Sequence, residues 1–190
     1  MTSETFVIFD TEYTSWEGCN EKGWNKDEGE YKELVQIGAV KCSCVDFSIE
    51  STFSVISNPM INPVLSEYFV DLTGITNQEI QDKGVELPDA LDKFAEFVNE
   101  DVCYSYGDDK GILEYNVEVH NLEDDFGVQQ IESNDIRPIF KLFGVPTENY
   151  SSGTVCEHFD RKPDTGASQH NAVYDCLSLR LALKQAVEER

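Results

Sequence analysis

Phe6-Val7-Ile8-Phe9-Asp10-Thr11-Glu12 is the stretch from which the fold can be built. Four apolar, largely β-forming residues in a row predict a short strand buried on both faces. Side chains two positions apart on a strand point the same way, so Asp10 and Glu12 should face one spot at its C-terminal end. Two anions held together need a cation. In a chain this acidic a bare Asp-x-Glu also describes a solvated strand end, so the deciding pieces must come from elsewhere.

The whole chain carries 37 acidic against 14 basic residues over 190 positions, a formal net charge of −23. Such a surface repels nucleic acid and anionic membranes at long range, so a polyanionic substrate would need divalent metal and a local basic patch. The same charge also serves solubility or tolerance of high salt. The length fits a single domain spanning 1–190. No basic segment followed by a long apolar run is present, so a soluble, cytoplasmic protein with no membrane span is expected. Cys19, Cys42, Cys44, Cys103, Cys156 and Cys176 are scattered without a paired framework, which favours reduced thiols over disulfides or zinc.

Residues 13–32 form a polar insertion carrying Trp16, Trp24 and Tyr31, long for a turn. Leu34–Cys42 and Phe47–Ile56 read as two further strands, giving an antiparallel meander with the first. Thr76 with Glu79 three residues on has capping-box spacing and opens a helix that Gly84 should end. A second helix begins at Leu87-Pro88, with Leu91, Phe94 and Val98 on one face. Val102–Tyr106 reads as a strand and Lys110–Asn116 as a helix start, followed by a loop over Val117–Asp125. Asn134–Phe143 has helical spacing, and Tyr150–Thr165 should run irregularly over the surface. Asn171–Glu189 reads as an amphipathic helix. The order predicts an α/β fold, a mixed sheet with helices packed on it.

Acids therefore recur at element ends: Asp10 and Glu12, then Asp109, then Asp175 on the last helix. Parallel neighbouring strands would bring the first two sets together, where open α/β sheets place their sites. Asp109 by itself also reads as a helix-capping acid. His170, five positions before Asp175, titrates near neutrality and could take a proton from water; His120 and His158 sit in polar contexts and are expected at the surface.

These residues resemble, in order and spacing, the three exonuclease motifs of the DEDDh family: Asp10-Thr11-Glu12 on a strand, an Asp after Ser105-Tyr106-Gly107 followed by Leu113 and Asn116, and His170-x4-Asp175. Leu72-Thr73-Gly74-Ile75-Thr76 is similar to a segment between the first two motifs. The resemblance implies a ribonuclease H-like fold with a five-stranded sheet. It implies a 3′–5′ exonuclease in which Asp10, Glu12, Asp109 and Asp175 hold two Mg²⁺ or Mn²⁺ ions and His170 is the general base. The substrate it implies is the 3′ end of single-stranded RNA or DNA, with Thr11, Tyr13 and Ile75 contacting the terminal nucleotide.

Two departures stand. Asp108 competes with Asp109 as the second-motif acid, and the Trp-bearing insertion could admit substrate, dock a partner or merely pin itself to the body. Arg137, Lys141, Arg161 and Lys162 are candidate phosphate contacts. Two rival readings remain: a hydrolase of very short oligonucleotides, favoured by the charge, and a non-catalytic binding module on the same fold.

Overall fold

In the computed structural model, which describes residues 4–122 and 127–190, the opening strand β1 (Thr5–Tyr13) is the middle one of five. β2 (Leu34–Ser43) and β3 (Ile49–Ile56) lie antiparallel on one side. β4 (Cys103–Ser105) and β5 (Ser133–Asp135) lie parallel on the other, giving the order β3-β2-β1-β4-β5. Around this mixed sheet the helices are α1 (Cys19–Lys22) in the insertion, α2 (Glu67–Thr73), α3 (Asn77–Lys83), α4 (Leu87–Val98), α5 (Asp109–Val119), α6 (Arg137–Leu142) and α7 (Ala172–Glu188). Among the described residues no helix is long and apolar enough to cross a membrane.

The alternation of β1 divides the core. Val7 and Phe9 point to one face and pack with Leu91 and Phe94 of α4 and Leu113 of α5. Phe6 and Ile8 point to the other, among Ile136, Phe140, Cys176 and Leu179 from the region of α6 and α7. Val7, Ile8 and Phe9 are 0% exposed, and burying each such side chain stabilises by about 1.5–3 kcal/mol. The same parity carries on to the strand's end. Asp10 and Glu12 belong to the α7 face and Thr11 to the α5 face.

Gly38, opposite Asp10 in the β1–β2 ladder, sets how close α7 can come. A Cβ there would lie 2.5 Å from the Ala172 carbonyl carbon and the Val173 nitrogen. Its absence lets the first turn of α7 rest on β2, where the Ala172 amide donates to Gln36 Oε1 at 3.0 Å and the Cys176 thiol donates to the Gly38 carbonyl.

Several elements differ from the sequence reading. Ser133–Asp135 is a strand rather than the start of a helix: parallel pairing to β4 places the segment on the sheet's edge, and the helix begins only at Arg137. β3 starts at Ile49 because Phe47 turns the chain with φ 59°. β4 is only three residues long. α2 was not anticipated; Ser66 caps it and Gly74 ends it with φ 76°. α5 continues through Val119, so 117–119 are helical where a loop was expected, and 123–125 lie outside the described residues. Within Tyr150–Thr165, Val155–Phe159 form a helical turn whose Val155 and Cys156 are fully buried against α7. His120 is not at the surface: its side chain is 6% exposed and stands 3.3 Å from the buried Glu33 carboxylate. His158 is exposed.

Candidate active site

Parallel pairing of Ile8 with Tyr104 brings the ends of β1 and β4 side by side, and the first turn of α7 rests on β2 at Gly38, opposite Asp10. Asp10, Glu12, Asp109, His170 and Asp175 consequently line one cavity of about 500 Å³. Asp10, Glu12 and Asp175 are 7%, 9% and 2% exposed. Ligand atoms of Glu12, His170 and Asp175 all lie within 4.8 Å of one another.

The competing second-motif acids separate in space. Asp108 caps α5, accepting from the Gly111 amide at 3.2 Å. Asp109 turns inward: its Oδ1 accepts from the Thr11 amide at 3.0 Å and from the Thr11 hydroxyl at 2.6 Å. Thr11 thus holds the second acid through the face that strand alternation gives it.

Mutual repulsion marks the cluster. Burial first, then Asp109, Glu12 and Asp175, raise the Asp10 carboxyl well above the usual range. Burial followed by Asp175 and Asp109 does the same to Glu12. Asp175 is pushed up to about 7, by burial foremost, against the pull of the Ser152 hydroxyl and the His170 amide. The neighbouring Tyr13 hydroxyl rises to about 12, through burial and then Asp109, Glu12 and Asp10. Carboxyls so displaced want either protons or cations.

His170 sits in the left-handed region with φ 65°, a costly conformation for a non-glycine residue. Its amide donates to Asp175 Oδ1 at 3.3 Å, and the Gln169 side-chain nitrogen lies 3.1 Å from its Nε2. Burial lowers its pKa, which favours the neutral ring.

Of the remaining candidates, Thr11 and Tyr13 line the cavity and Ile75 does not. Ile75 is 4% exposed and packs with Leu65, Phe69 and Ile80; its segment instead presents Leu72 to the cavity. Arg137 is engaged by Asp135 through Nε and Nη2 and lies against the Tyr106 ring. Lys141, Arg161 and Lys162 are exposed and, with Arg137, lie outside the cavity lining.

Sequence reasoning missed Ser152 and Gly153. The Ser152 hydroxyl donates to Asp175 Oδ2 at 3.0 Å and also acts on Asp10. A Cβ on Gly153 would lie 2.4 Å from Asp175 Oδ1. Both lie in a stretch without periodicity, so no local pattern points to them.

The insertion is tied down at its base. Thr14 and Glu33 exchange bonds through the Thr14 amide, at 2.9 Å, and the Thr14 hydroxyl, which accepts from the Glu33 amide at 3.0 Å. The Trp24 indole donates to the Thr14 carbonyl at 2.8 Å. Buried Glu33 accepts from the amides of Met60, Ile61 and Asn62. Asn116, 0% exposed, ties the return strand to α5: its Oδ1 accepts from the Leu34 amide and its Nδ2 donates to the Lys32 and Ile112 carbonyls, each at 2.9 Å.

Residues 7–180 match the RNase T family model, described as an exonuclease. The chain belongs to the RNase T exonuclease family. The family is one of exonucleases, and the chain's acids and histidine follow the DEDDh order. A curated relative of this exonuclease, ERI1 exoribonuclease 2 of Xenopus laevis, is 30% identical over 97 residues, which are 50% of the chain and 12% of that protein. Among solved structures the nuclease domain of 3′hExo, a DEDDh family member bound to rAMP, superposes with a TM-score of 0.75 at 18% identity, over 100% of this chain and 95% of that one. Cell-death related nuclease 4 gives 0.69 at 20% identity, over 98% and 64%. E. coli exonuclease I in complex with a dA16 oligonucleotide gives 0.66 at 15%, over 99% and 41%. These likenesses establish the ribonuclease H-like exonuclease fold.

Proposed function

We propose that this exonuclease removes nucleotides from the 3′ end of single-stranded RNA or DNA with the help of two Mg²⁺ or Mn²⁺ ions, releasing nucleoside 5′-monophosphates. The observation that carries the reading is the convergence of four carboxylates from three separate segments, with His170 beside them, in one cavity. Among the described residues none of these acids has a Lys or Arg within salt-bridge distance. A buried, all-oxygen, mutually repelling donor set suits hard divalent cations. Asp10, Glu12, Asp109 and Asp175 would hold them.

Divalent ions bound there supply Lewis acidity and neutralise charge on the phosphoryl oxygens. The rest falls to the chain. Neutral His170 accepts a proton from water as its oxygen attacks the terminal phosphorus. The P–O3′ bond breaks, the leaving O3′ takes a proton from solvent, and the strand ends in a new 3′-hydroxyl. Thr11 and Ser152 hold Asp109 and Asp175 in place, and Tyr13 faces the nucleotide with its hydroxyl protonated. Six free thiols, five of them buried, support a reducing compartment, the cytoplasm.

End-labelled single strands incubated with Mn²⁺ test the reading. A ladder of shortened products, absent in Asp10→Ala, is expected. No ladder, or one that Asp10→Ala leaves intact, refutes it.

A further inference from the structure

Lys32 is the one lysine or arginine among the described residues that line the cavity. In a cavity crowded with carboxylates an ammonium group would ordinarily pair with one. Lys32 does not: among the described residues no carboxylate lies within 4.0 Å of its Nζ. It is seated on rings instead, 4.4 Å from the Trp24 centroid and 5.7 Å from that of Tyr13. Those rings are 5.7 Å apart, Trp24 is fixed by its bond to the Thr14 carbonyl, and the Lys32 backbone is fixed by Asn116. A cation held by ring quadrupoles is oriented without being neutralised, and its N–H donors stay free.

We propose that Lys32 is a specificity-determining residue that grips one phosphate of the substrate, at the linkage immediately upstream of the one cleaved. The assignment rests on the exonuclease reading above. The cleaved phosphate belongs at the carboxylate cluster, and Lys32 stands out of ion-pair reach of that cluster but inside the same cavity. Trp24 is then the seat of the lysine rather than a platform for a base. The chain's net charge of −23 opposes further upstream phosphates, and Lys32 is the one lysine or arginine among the described cavity-lining residues to offset it. The substrate class is therefore short oligonucleotides or the last few nucleotides of a strand, with affinity that stops growing with length after the second linkage.

A trinucleotide carrying a neutral methylphosphonate at that linkage tests this, in a cycle with Lys32→Gln. A charged hydrogen bond lost should lower kcat/KM by about ten-fold or more. Wild type should lose this on the methylphosphonate; Lys32→Gln should lose it on the natural trinucleotide and nothing further on the analogue, while Lys32→Arg retains function. The slope of log KM against log salt should fall by about 0.7 in Lys32→Gln, the value for one phosphate on a single strand. Additive losses, or an unchanged KM and slope in a Lys32→Gln protein of wild-type melting temperature, overturn the assignment. Binding of a labelled trinucleotide in Ca²⁺, read by anisotropy, separates the two readings. Lys32-dependent binding without hydrolysis in Mn²⁺ would remove the exonuclease reading and keep the grip. Hydrolysis without coupling would remove the grip alone, and neither binding nor hydrolysis removes both.

Discussion

Replacing Asn116 by alanine should be among the most damaging single changes outside the carboxylate cluster. The side chain is wholly buried and joins α5, which begins with Asp109, to the start of β2 at the root of the insertion. Truncation strands the buried Leu34 amide and the half-buried Lys32 carbonyl. A buried unsatisfied backbone group costs about 1–3 kcal/mol and the half-buried one less, so a loss of about 1–4 kcal/mol is expected, a large share of the roughly 5–15 kcal/mol that holds a typical domain folded. The Ile112 carbonyl is less affected, being part of its own helix. Asn116→Asp preserves shape and one acceptor, yet turns its second oxygen on the carbonyls of Lys32 and Ile112 and buries a charge, so it should destabilise at least as much as alanine. Urea unfolding of the metal-free protein, with m-values compared across the three chains, provides the measurement. Because the Lys32 backbone loses its anchor, KM for oligonucleotides should rise as well. A loss below about 1 kcal/mol with KM unchanged would refute the bridging role.

Thr11→Val removes the 2.6 Å hydroxyl bond to Asp109 and keeps the amide bond; the Mn²⁺ concentration for half-maximal activity should rise by about 10–100-fold, as for other partners of metal-holding carboxylates. Gly38→Ala forces a methyl against the backbone of Ala172 and Val173; overpacking of about 1–3 kcal/mol is expected, lowering the melting temperature by about 2–4 °C per kcal/mol for a chain of this size, and a wild-type melting temperature would sink the close-approach argument. In EDTA, stability should fall as pH rises from about 4 toward about 7. The Asp175 carboxyl is raised in the folded state from 3.8 to about 7, so its contribution is complete below the unfolded value and lost through the folded one. Asp175→Asn should flatten that slope, while saturating Mn²⁺ should raise the melting temperature more at pH 8 than at pH 6, since cations compete with protons for the same oxygens.

The strand pair at the centre of the molecule was legible because its signals are local and strong. An unbroken apolar run fixed β1, alternation fixed the side of Asp10 and Glu12, and capping chemistry at Thr76 placed α3 where Asn77–Lys83 is helical. What escaped depends on pairing or packing at a distance. Ser133–Asp135 has no strand-like composition and is held by the ladder to β4. Val155 and Cys156 are buried only because α7 lies over them. Asp108 and Asp109 are alike in type, and only the spacing to Leu113 and Asn116 favours Asp109; the Thr11 hydroxyl, 98 positions away in sequence, bonds Asp109 and leaves Asp108 to cap the helix. Arg137 reads as an available cation until Asp135 folds back onto it. His120 reads as a surface residue and is not: it stands against the buried Glu33 carboxylate, which also accepts from the amides of residues 60–62.

The tie between Thr14 and Glu33 closes the 13–32 excursion at its neck, directly off the β1–β2 ladder. Closure entropy beyond such a neck grows only with the logarithm of length, about 0.6 kcal/mol per doubling. Beyond the neck the segment between Ser15 and Tyr31 is tied to the body at a few points, where the Ser66 hydroxyl donates to the Ser15 carbonyl and the Asn62 side-chain amide to the Gly29 carbonyl. Where those contacts are kept its length can change at small expense to folding, which makes it a replaceable cassette: substrate choice can drift there while the carboxylates of β1 stay in place.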